Sequence, residues 1–136
     1  MNETVKILIA DDEQACIDFV RETFADTDYK VVAAMDGERA LQMAQQESPN
    51  VIILDVQMPK RNGFEVFADL RADEKLAAVP VIMLTAVTQR TGLKFSSGDM
   101  GEYMGSQPEA FVDKPIEPVV LKQTVNRLLK QGGAEA

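Results

Sequence analysis

Histidine is absent from this 136-residue sequence. That removes Ser-His-Asp and Cys-His catalysis, imidazole metal sites and any phosphohistidine on the chain itself. Cysteine is nearly absent: Cys16 stands alone, so no disulfide can close within the chain, and a reducing compartment is the expected setting. Basic residues are few beside acidic ones, 14 Lys and Arg against 22 Asp and Glu, for a net charge of −8. Such a surface repels phosphate backbones and offers no basic stripe to nucleic acid or anionic lipid. Long apolar runs are missing as well. The longest are a handful of residues, far below the roughly 20 that span a membrane, and nothing resembling a signal peptide precedes the first strand. The expectation is a soluble, cytoplasmic protein with no direct nucleic-acid role. Any phosphate chemistry must be carried by carboxylates.

What is present is an apolar content of 46%, enough at this length for one core without staples. A single domain over 1–136 is expected, with a core of about 4–130 and a short tail, 131–136; Met1 and Gly132-Gly133 have the look of natural termini. Short apolar runs recur at Val5–Ala10, Lys30–Ala34, Val51–Leu54, Val81–Leu84 and Ala110–Val112, with helix-length segments between most of them. Strands alternating with helices predict an α/β fold with a parallel sheet. The first helix carries Cys16, Phe19, Val20, Thr23 and Phe24 on one face, with Cys16 expected in the core. The second follows Asp36 and turns Ala40, Leu41 and Ala44 inward; the third follows Asn62-Gly63 and uses Phe64, Phe67 and Leu70. The last starts at Glu117-Pro118 and buries Leu121, Val125, Leu128 and Leu129.

In an open parallel sheet, ligands gather beyond the carboxyl ends of the strands. There the first run ends in Asp11-Asp12-Glu13, the third in Asp55, the fourth in Thr85 and the fifth in Asp113-Lys114-Pro115. Carboxylates, a hydroxyl and an ammonium would share one rim, and clustered carboxylate oxygens suit Mg²⁺, which keeps several waters and takes phosphate oxygens as further ligands. Phosphoryl transfer needs such parts because its catalysis is mostly positioning and charge neutralisation. Asp55 is the expected nucleophile, Asp12 and Asp55 the direct metal ligands, with Asp11 reaching the ion through water. Lys114 supplies a point charge, and Thr85 a hydrogen bond made only when phosphate is present. Without metal such a cluster repels itself, so Mg²⁺ should stabilise the protein.

The runs Lys6–Glu13, Asp55 to Met58-Pro59 followed by Asn62-Gly63, Thr85-Ala86 and Lys114-Pro115 together resemble the receiver domains of bacterial response regulators, of the stand-alone, chemotaxis type. The likeness runs through nearly the whole chain. It implies a flavodoxin-like, doubly wound five-stranded sheet of order 2-1-3-4-5, with phosphorylation of Asp55 by a histidine kinase or phosphotransfer protein and output through a downstream effector protein. It further implies that the Gln57 backbone carbonyl joins the metal ligands, that Lys114–Pro115 is a cis peptide, and that Phe111 is an aromatic whose rotamer follows Thr85. The chain would then catalyse only its own phosphorylation and dephosphorylation.

Each of these residues also has an ordinary explanation. Asp11-Asp12 can cap a helix, Asp55 can be a turn residue, Thr85 and Lys114 can be solvated strand ends, and Phe111 can be core. Their coincidence at four strand termini favours the site. A binding module that works without phosphorylation is the alternative. A phosphohydrolase with an aspartyl nucleophile is a third reading, but such enzymes place an acidic residue two positions after the nucleophile, where this chain has Gln57. One region departs from the family pattern. Ala86–Asp113 is several residues longer than usual and holds Gly92, Gly98, Gly101 and Gly105, half of the chain's eight glycines. An enlarged, irregular connection is expected there, with the fourth helix shortened, displaced or replaced by an ordered loop. A partner-specific or homodimer-forming surface is the hypothesis for it.

Overall fold

The computed structural model describes residues 4–58, 60–86 and 108–131. Along these the chain forms β1 (Lys6–Ala10), α1 (Gln14–Thr23), β2 (Lys30–Ala34), α2 (Gly37–Glu47), β3 (Val51–Asp55), α3 (Gly63–Ala72), β4 (Val81–Ala86), β5 (Ala110–Lys114) and α4 (Pro118–Gln131). The five strands make one parallel sheet of order β2-β1-β3-β4-β5. This is the flavodoxin-like arrangement expected from the sequence. The long connection between β4 and β5, with its anticipated change to the fourth helix, lies outside the described residues.

Strand alternation divides the core in two, because successive side chains point to opposite faces. On one face Leu8, Ala10, Ile52, Leu54 and Met83 pack with Ala40 and Ala44 of α2 and Val66, Phe67 and Leu70 of α3. On the other, Ile7, Ile9, Ile53, Ile82, Leu84 and Val112 pack with Ile17 and Val20 of α1 and Leu121, Val125 and Leu128 of α4. The central strands are buried on both sides and read as continuous apolar runs for that reason.

Two details correct the sequence reading. The buried line of α1 is Ile17, Val20 and then Phe24, whereas Cys16, Phe19 and Thr23 are only half-buried. The helix faces two neighbours: Ile17 and Val20 meet the sheet, while Phe19 and Thr23 border the groove toward α4, near Pro118 and Lys122. Cys16 is thus a cleft residue beside the core. The strands also run further than their apolar runs. Val56 N–H still donates to the Leu84 carbonyl at 3.1 Å, and Thr85 pairs with Asp113 and Ala86 with Lys114. Backbone pairing continues into the polar residues, so Asp55, Thr85 and Lys114 sit in strands and inherit their rigidity.

Helix starts are set by local chemistry. Asp36 accepts from the Arg39 N–H at 2.7 Å, and Asn62 and Glu65 form a reciprocal capping box with both bonds at 2.9 Å. Gly63 opens α3 where a Cβ would collide with the Asp55 carbonyl and lie 3.0 Å from Val56 Cα. Its N–H donates to the Val56 carbonyl at 2.8 Å, so the helix start is seated directly on the end of β3.

Candidate functional site

The sheet order places the end of β1 beside β3, β3 beside β4 and β4 beside β5. Asp11, Asp12, Asp55, Thr85 and Lys114 are therefore delivered to one rim by four strands, as the sequence reading expected. Asp11, Asp12 and Asp55 each present a carboxylate oxygen, and these oxygens all lie within 4.8 Å of one another. Among the described residues this is the one such acidic group. Asp11 is fully buried and Asp55 5% exposed, whereas Asp12 is open to solvent.

The cluster does not stand without a counter-charge. Lys114 Nζ lies 3.1 Å from Asp11 Oδ2 and 3.2 Å from Asp55 Oδ1, with Glu13 at 3.7 Å. Sequence reasoning put the lysine on an incoming group; in the structure it bridges the two buried carboxylates. Burial opposes the ammonium charge, but Asp55 and Asp11 together outweigh it and hold Lys114 above the ordinary lysine range. Burial pushes the Asp55 carboxyl up to about 6; the charge of Asp11 adds to this and Lys114 works against it. Asp11 is oriented by its own neighbours: its Oδ1 accepts the Glu13 N–H at 2.9 Å, and its N–H donates to the Ala34 carbonyl. Cys16 abuts it, and burial, with the hydrogen bond and charge of Asp11, pushes that thiol up to about 12.

Thr85 is fully buried, one residue beyond Leu84, which pairs with Asp55. Its Oγ1 donates to Asp113 Oδ1 at 3.1 Å. Phe111 lies two residues before Asp113, paired with Met83 and packed against the α2–α3 core. Gln57 is exposed on the turn leaving β3, and the Lys114–Pro115 peptide is cis. Sequence reasoning gave Glu13 and Asp113 no task at the site and placed Cys16 in the core. Only the fold shows that Glu13 and Cys16 crowd the site and that Asp113 stands directly opposite Thr85.

Residues 7–126 match the response regulator receiver domain family. The chain belongs to this family. The receiver is 38% identical over 130 residues to the "Probable transcriptional regulator ycf27" of Cyanophora paradoxa, covering 93% of this chain and 48% of that protein. It spans about half the length, or less, of the curated relatives it matches. Its fold superposes on the chemotaxis response regulator CheY4 of Vibrio cholerae with a TM-score of 0.78 at 32% identity, covering 93% of this chain and all of that one. It also superposes on the receiver domain of the sensor histidine kinase PA1611 of Pseudomonas aeruginosa, with a TM-score of 0.79 at 20% identity over 94% of this chain and 99% of that one. That domain was solved with a magnesium ion coordinated in its active-site cleft.

Proposed function

We propose that this receiver takes a phosphoryl group from a histidine kinase or phosphotransfer protein onto Asp55, in a Mg²⁺-dependent reaction that the receiver itself catalyses. The observation that carries this reading is a carboxylate 5% exposed at a strand end, within 4.8 Å of two more carboxylates and 3.2 Å from an ammonium. Three hard oxygens so close together fit a small divalent cation. Asp12 and Asp55 would hold it directly, with Asp11 through water and the Gln57 carbonyl as a further ligand. The ion supplies charge neutralisation for phosphoryl oxygens when bound, and a receiver of the same fold carries magnesium in its cleft.

In the reaction a carboxylate oxygen of Asp55 attacks the phosphorus of a phosphohistidine. The P–N bond breaks as the P–O bond forms, leaving an acyl phosphate here and an imidazole on the donor. Lys114 already lies within reach of Asp55 and turns its charge to the new phosphoryl oxygens. Thr85 donates its hydroxyl proton to one of them, and Phe111 follows that movement toward the partner surface. Protein donors fit the approach: beside Lys114 an open cleft of about 250 Å³ is bordered by Phe19 and Ile116. The receiver core, about 4–130, would act in the cytoplasm through a downstream effector protein. The test is intact mass after incubation with a small phosphoryl donor and Mg²⁺. One phosphoryl group appears on the wild type and none on Asp55→Asn or in chelator. No addition to folded wild type favours a binding module that works without phosphorylation.

A further inference from the structure

We infer that Asp113 is a positioning residue that restrains Thr85 in the unphosphorylated receiver and so opposes occupation of the site by a phosphoryl group. The inference rests on the proposed phosphorylation of Asp55. Thr85 and Asp113 are direct partners across the parallel β4–β5 ladder, and directly paired residues project to the same face. The pair two residues earlier, Met83 and Phe111, packs on the α2–α3 side of the sheet, so Thr85 and Asp113 share that side. There the Thr85 hydroxyl donates to Asp113 Oδ1 at 3.1 Å.

A threonine hydroxyl has one proton to donate. Given to Asp113, it is withheld from any oxygen on Asp55. Binding of a phosphoryl group therefore exchanges one charge-assisted hydrogen bond for another, and the gain from Thr85 is reduced by what Asp113 already supplied. Because Thr85 is fully buried, its oxygen cannot simply fall back on bulk water when released. Asp113 is exposed, and it is replaceable without opening a cavity. Asp113 acts on the site through Thr85, its partner in the ladder.

The experiment is a titration of the full chain with beryllofluoride, an aspartyl-phosphate mimic, at saturating Mg²⁺, followed by ¹⁹F NMR. Asp113→Ala binds about three- to tenfold tighter than wild type, the range expected for loss of one competing charge-assisted bond at an exposed site. Asp113→Asn, which keeps an acceptor of the same shape, falls between the two. The effect of Asp113→Ala shrinks to less than about twofold in a Thr85→Ala background, because nothing remains to be restrained. An equal gain in that background means that Asp113 acts through charge alone and overturns the inference, while leaving the receiver chemistry intact. So does wild-type affinity in Asp113→Ala. Failure of all the folded proteins to bind beryllofluoride overturns both the inference and the phosphorylation of Asp55.

Discussion

Asp55 meets opposing demands at the level of a single residue. As the proposed nucleophile it must be ionised, yet it is buried beside Asp11, and this lifts its carboxyl from an ordinary 3.8 to about 6. Lys114 keeps the shift from growing further. A folded-state pKa above the unfolded one means that the metal-free fold binds the proton more tightly than the unfolded chain. The resulting stabilisation is fully present below about pH 4 and is lost as the pH rises through 6. Over that window Asp55 contributes up to roughly 3 kcal/mol. Urea midpoints in chelator between pH 5 and 7.5 should therefore show wild type losing stability relative to Asp55→Asn as pH rises. A constant difference between the two proteins across that range would disprove the shift. Asp55 and Lys114 were both legible in the sequence as strand-end residues. The bridge from Lys114 to Asp11 was not, since it joins residues 103 positions apart.

Among the elements, two contacts fix how the strands and helices meet. Glu109 begins β5's approach and accepts two bonds from Arg71 Nη2, at 2.7 and 2.8 Å, while its Oε1 also takes the Val81 N–H at 2.8 Å. Arg71 in turn donates to the Val79 carbonyl at 3.0 Å and lies 4.6 Å over the Phe67 ring. One residue pair thus ties the end of α3 to the starts of β4 and β5. Glu109→Ala should lower stability by about 2 kcal/mol, because it also leaves the Val81 N–H without this acceptor; a loss below about 0.5 kcal/mol in urea melts would show the clamp to be an ordinary surface ion pair. At the other end of α3, Gly63 lets the helix sit on the carbonyl of Asp55. Gly63→Ala should cost about 2 kcal/mol through forced displacement and weaken Mg²⁺ binding with it, since the shift falls on the strand end that carries Asp55. Unchanged Mg²⁺ affinity in a destabilised Gly63→Ala protein would separate the packing from the site. The sequence marked Asn62-Gly63 as a helix start; the close approach to Asp55 depends on how α3 lies against β3.

For the molecule as a whole, stability and site are linked. The fold gathers three carboxylates on one rim, and two charges about 5 Å apart repel by roughly 3 kcal/mol at an effective dielectric of about 20. Lys114 offsets part of this. Mg²⁺ at ten times its dissociation constant should add about 1.4 kcal/mol, or roughly 5 °C in Tm. Asp12→Asn should raise the metal-free Tm and abolish that response. A thermal scan insensitive to millimolar Mg²⁺ in the wild type would speak against the metal site. What the sequence determined by itself was largely periodicity and position: β/α alternation, the apolar strand runs, the helix caps and the polar residues at strand ends, all set by neighbours within a few residues. Periodicity still misplaced the inner face of α1, because a helix wedged between a sheet and another helix has two buried directions. No local pattern set which strands adjoin: the order was implied only by the family resemblance, and the tertiary structure shows it. That adjacency set Lys114 between Asp11 and Asp55, Thr85 against Asp113 and Glu109 on Arg71. Such pairings arise from sheet order and register, which bring together residues that no local pattern connects.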